Sequence, residues 1–107
     1  MDKEYILKKL AEIDKKKFGI LEIGLFGSYS RDEQTEDSDI DILVKMDFGQ
    51  KGAYSRFCDL EIYLKELFGK KVDLVDKGVF EYKFKNPKVK EYKENVKKQI
   101  LESVIYV

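Results

Sequence analysis

Apolar residues recur along this chain with two different periods, and each change of period marks an element. Ile6, Leu10, Ile13 and Phe18, with Leu7 widening the stripe, stand at helical spacing and predict a helix from Asp2 to Phe18. Asp2 suits its N-cap and Gly19 its end. Ile20 to Phe26 is a mostly apolar run, as expected of a central strand covered on both faces, and it stops abruptly at Gly27. A short helix is expected near Tyr29 to Glu33, then a loop from Thr35 to Ser38. Asp39 to Lys45 reads as a second strand, and Asp47 to Gly52 as a turn.

Phe57, Leu60, Leu64 and Leu67 restore the helical period from Ala53 to Phe68, with Gly69 as the stop. Cys58, beside Phe57, is expected to be a small core residue of that helix. Lys70 to Asp76 predicts a third strand in which Asp73 alternates away from Val72 and Leu74. Asn86-Pro87 opens a last helix, with Val89, Tyr92, Val96 and Ile100 as its stripe to about Val104. Phe80, Tyr82 and Phe84 lie in a stretch of no clear period before it, and Val104 to Val107 is an apolar end. Both are candidates for docking a partner or for closing the core. Helices alternating with strands give an α/β or α+β domain, a small mixed sheet flanked by helices, and 107 residues make one domain.

Composition narrows the chemistry by exclusion. There is one cysteine and no histidine, which excludes disulfides, a zinc finger and any histidine-based triad. The first residues are charged and no run approaches ~20 apolar residues, so neither a signal peptide nor a membrane span is expected, and the cytoplasm is the default compartment. Twenty-one bases balance twenty-one acids, so no global polyelectrolyte partner such as nucleic acid is implied. The charge is nevertheless uneven. Six acids and no base lie from Asp32 to Asp41, while seven lysines and two glutamates lie from Lys83 to Lys98.

The acidic stretch carries the candidate chemistry. Asp39 and Asp41 are two apart on a predicted strand and therefore project from one face. Two carboxylates ~4 Å apart repel by roughly 4 kcal/mol at an effective dielectric of ~20. The preceding loop adds Asp32, Glu33, Glu36 and Asp37 against Arg31 alone, so a divalent cation between the two acids makes sense of the arrangement. An EF-hand loop fails, because its sixth position would be Ile42 and its twelfth Phe48. A P-loop fails as well, because Ser28-Tyr29 follow Gly27 where Lys-Ser/Thr is required.

Gly27-Ser28, ten intervening residues and Asp39-x-Asp41 resemble the signature of the DNA polymerase beta superfamily of nucleotidyltransferases. Arg31, Thr35 and Ser38 added to those acids look like its minimal, antitoxin-type branch, over most of the chain. The resemblance implies the nucleotidyltransferase fold and a third metal-ligating acid downstream, at the position of Asp73. It further implies two Mg²⁺ ions held by Asp39, Asp41 and Asp73, with ATP as substrate and Asp73 as the candidate to accept a hydroxyl proton. Gly27, Ser28, Arg31 and Ser38 are then the nucleotide-binding set. Arg31 reads equally as an offset for the loop acids, and Ser38 as an ordinary turn cap.

Relatives that read a template or an antibiotic carry extra modules for which 107 residues leave no room. By resemblance, the acceptor is then a tyrosine of a HEPN-domain toxin, adenylylated by this chain as its antitoxin within a hetero-oligomer. Two alternatives stay open: a subunit modifying an aminoglycoside-like small molecule, and an antitoxin that binds without catalysis.

Overall fold

A computed structural model of the chain describes residues 1–49, 51–78 and 87–107, the last stretch without the side chains of 87, 89, 90 and 93. Its elements in order are α1 (Lys3–Ala11), α2 (Lys15–Phe18), β1 (Ile20–Phe26), a 3₁₀ turn (Tyr29–Arg31), β2 (Ile40–Met46), α3 (Ala53–Phe68), β3 (Val72–Asp76), α4 (Pro87–Ser103) and β4 (Ile105–Tyr106). The strands form one mixed sheet in the order β3-β2-β1-β4. β1 runs antiparallel to β2 and β4, while β2 and β3 are parallel, joined through α3.

Strand alternation sends side chains to two unequal cores. Ile40, Ile42, Val44 and Met46 of β2 face a large cluster with Ile6, Leu10, Leu60 and Leu64 of α1 and α3. Each such fully buried side chain contributes roughly 1.5–3 kcal/mol. The intervening Leu43 faces the other side, where it packs with Phe26 and Ile100 of α4, and with Val75, Val96 and Val104 around them. Asp41 and Asp73, in phase with Leu43 and Val75, therefore lie on the α4 side of the sheet.

Four expectations need correction. The first helix is two, because Asp14 takes an extended conformation and its carboxylate accepts the Lys17 amide, capping a new start. Ile13 and Phe18 stay in the same core, so the apolar stripe alone could not reveal the break. Cys58 is exposed. It lies two residues from Leu60, about 200° around the helix and away from the core-facing line of Leu60 and Leu64. Tyr92 is also exposed, at 65%; among the described residues of α4, Val96 and Ile100 reach the core. Leu21 of β1 is 54% exposed, so that strand is covered on both faces only beyond its first turn of residues.

The apolar end closes the sheet. Ile105 and Tyr106 pair with Leu25 and Gly24, the Val107 amide donates to the Ile23 carbonyl, and Val107 packs against the larger core. Gly24 makes this approach possible, since a Cβ there would lie 2.8 Å from both the Ile105 carbonyl oxygen and Val104 Cγ2. Phe80, Tyr82 and Phe84 lie outside the described residues. Among the described residues, no helix is long and apolar enough to cross a membrane.

Candidate active site

The site is built where three strands end together on the α4 side. β1 finishes at Phe26, whose register partner is Asp41 at the start of β2. Asp41 is in turn the register partner of Asp73 on β3, and parallel partners point the same way. Asp39 precedes β2 by one residue and shares the parity of Asp41. Its carboxylate is turned toward the Lys71 ammonium, 3.9 Å away. As the side chains stand, no three acids among the described residues converge on one point tightly enough to define a metal centre.

Electrostatics nonetheless single out Asp41. Burial, and then the charges of Asp73 and Asp39, push its carboxyl up from 3.8 to about 6, with Arg31 opposing. An anion held in so unfavourable a place fits a hard cation, which these oxygen donors suit. Gly27 is the reason Asp41 can sit there. Its φ is +75°, and a Cβ would lie 2.9 Å from the Asp41 carboxyl carbon and closer still to one of its oxygens.

The remaining residues of the predicted nucleotide set divide. Ser28 stands at the N-cap of the 3₁₀ turn without a side-chain capping bond, while its carbonyl accepts the Arg31 and Glu33 amides. Arg31 pairs with Glu33 at 3.1 Å and Asp32 with Lys3 at 3.0 Å, all at the surface, so the acids after the arginine are offset. Such exposed pairs contribute at most ~1 kcal/mol and yield readily to a stronger partner. The Ser38 hydroxyl accepts the Thr35 amide at 2.9 Å, the turn-capping role available to it from the sequence. The structure thus brings Asp39, Asp41, Asp73, Gly27 and Ser28 to one corner. Arg31 stands at its exposed rim, and Ser38 is engaged in shaping the loop.

Sequence reasoning missed Lys70, Lys71 and Ser103. Ser103, at the end of α4, accepts the Gly27 amide through its hydroxyl at 3.4 Å. Lys71 was within reach of the register: once Asp73 faces Asp41, Lys71 falls beside Asp39.

Corner, sheet and glycine turn together define a class of phosphate-transferring domain, and comparison with known proteins gives it a family. A family model for the nucleotidyltransferase domain matches residues 7–107, and the chain belongs to that family. It is a nucleotidyltransferase. More particularly, it is 42% identical over 93 residues to protein adenylyltransferase MntA of Thermococcus cleftensis, covering 87% of this chain and 80% of that one. It is 48% identical over 102 residues to MJ0128 of Methanocaldococcus jannaschii, provisionally named a protein adenylyltransferase, covering 95% and 91%. Among solved structures it resembles one provisionally identified as a minimal nucleotidyltransferase, with TM-score 0.65, 28% identity and coverage of 98% and 95%. A crystal structure of a variant of the toxin–antitoxin pair MntA–HpeT is similar too, with TM-score 0.55, 26% identity and coverage of 100% and 72%.

Proposed function

We propose that this chain transfers AMP from ATP to a protein hydroxyl, a tyrosine of a HEPN-domain toxin, and so acts as that toxin's antitoxin. The observation that carries the reading is the pairing of Asp41 with Asp73 beside a glycine that leaves room for nothing but the Asp41 carboxylate. Kinship with MntA and likeness to the MntA–HpeT pair support the choice of acceptor.

Asp39, Asp41 and Asp73 would hold two magnesium ions. When bound, the metal offsets the triphosphate's charge and acidifies the attacking hydroxyl. The Ser28 hydroxyl and the backbone amides at the very start of the turn that follows would hold the β- and γ-phosphates, and Gly27 lets the backbone come close. Arg31 releases Glu33 and takes a phosphate oxygen. The tyrosine oxygen forms a bond to the α-phosphorus as the bond to the bridging oxygen breaks; pyrophosphate leaves, and Asp73 accepts the hydroxyl proton. Catalysis here is chiefly positioning and charge neutralisation.

The test uses ATP labelled at the α-phosphate, magnesium, this protein and the toxin encoded beside it. Label is expected on one toxin tyrosine and is lost with Asp39→Ala. Label on an added aminoglycoside, or a tight complex without label, would replace the proposal with one of the two alternative readings.

A further inference from the structure

The loop from Ser28 to Asp39 carries the groups assigned to the triphosphate, yet beyond Tyr29 and Ser30 none of its residues is buried. Beside it is an open cleft of about 470 Å³ lined by Met1, Tyr29, Gln34, Thr35, Glu36 and Lys70. The Gln34 side-chain carbonyl is buried there without a hydrogen-bond partner among the described residues. A loop with so few buried side chains needs a support other than packing.

Lys70 is placed to be that support. Its ammonium donates to the Tyr29 hydroxyl at 2.8 Å and to the Glu36 carbonyl at 3.1 Å, so it joins the two ends of the loop. The same ammonium stands 5.4 Å from the centre of the Tyr29 ring, itself buried in the main core. Immediately after it, the Lys71 carbonyl accepts the Ile40 amide at 3.0 Å, fixing the start of β2 between Asp39 and Asp41. Other ties on the loop are exposed or local: Lys3 to Asp32, Arg31 to Glu33, Ser38 to Thr35.

We infer that Lys70 is a positioning residue for nucleotidyl transfer. It holds the Ser28–Asp39 loop in the shape that presents Ser28 and Arg31 to the triphosphate, from the side of the sheet opposite the three acids. Tyr29 is the rigid post it braces against. The inference rests on the nucleotidyl-transfer reading for its kinetic consequence but not for its structural one.

Two variants and two readouts test it. Lys70→Met keeps the aliphatic stem and removes the three donors; Lys70→Arg restores donors of similar reach. With Lys70→Met, the KM for ATP is expected to rise about 10-fold with kcat changed less than about 3-fold, since misplaced binding groups weaken capture of the nucleotide. Lys70→Arg should recover most of that loss. Amide exchange measured on the nucleotide-free protein should quicken at residues 30–38 and remain unchanged in β1 and β2. Unchanged exchange in the loop, or exchange quickened throughout the sheet, would overturn the inference. So would an unaltered KM in a protein that transfers AMP. A wild-type protein that transfers nothing would count against the proposed function, while the exchange result would still decide the role of Lys70.

Discussion

Asp41→Asn is expected to abolish AMP transfer, by ~10³-fold or more, and at the same time to make the metal-free protein more stable. Both effects come from one carboxylate. In the folded chain its pKa stands near 6 because burial and two neighbouring acids oppose its charge. In the unfolded chain it ionises near 3.8. The folded state therefore binds more protons between those values, and stability falls as pH rises from about 4 to about 6, then levels off. At neutral pH the penalty is ~1–2 kcal/mol once solvent screening of a half-buried group is allowed for. An amide removes it. Thermal melts at pH 7 in chelator should show Asp41→Asn several degrees above wild type, a difference that vanishes near pH 4. A variant that melts lower than wild type at pH 7, or that still transfers AMP, would contradict this account of Asp41.

Gly27→Ala should be the most damaging single change of a small residue, and for two separable reasons. The backbone at φ +75° disfavours any Cβ by ~1 kcal/mol. The added carbon also meets the Asp41 carboxyl carbon at 2.9 Å and its Cβ at 3.1 Å, so that side chain must move. Together these predict a loss of ~2–4 kcal/mol in stability and a fall of ~100-fold or more in transfer rate. The steric part is shared with Asp41. A Gly27→Ala/Asp41→Ala double variant should therefore be more stable than the sum of the singles by ~1 kcal/mol, measured by denaturant unfolding. Strict additivity would mean that the two residues do not contend for the same space.

Much of this architecture can be read from the order of residues, because local rules and tertiary needs agree there. Helix α3 runs from Ala53 to Phe68 as its apolar period and its glycine stop demand. β1 ends at Phe26, where Gly27 turns the chain. Asp73 could be placed on the face of Asp41 by strand parity, once the two strands are neighbours in parallel. What escaped were features decided by distant partners. The break at Asp14 is a capping choice that leaves Ile13 and Phe18 in one core, so the apolar pattern runs straight through it. The ordering of Val104 to Val107 depends on the absence of a side chain at Gly24, eighty residues earlier in the chain. Lys70, in a sequence otherwise dense with lysine, gains its role only by meeting Tyr29 across the fold. Cys58, a neighbour of a stripe residue, and Tyr92, a member of one, show the reverse: helical spacing suggests a core position where the fold leaves the side chain exposed.

The central claim is that carboxylates of two adjacent strands, Asp41 and Asp73, bind a divalent cation together with the nucleotide. Calorimetric titration of Mn²⁺ into the protein saturated with a non-hydrolysable ATP analogue tests it most directly, with wild type set against Asp73→Asn. The account predicts that wild type takes up manganese and that the variant loses at least one ion or binds it ~10–100-fold more weakly. Equal stoichiometry and equal affinity in the two proteins would contradict it.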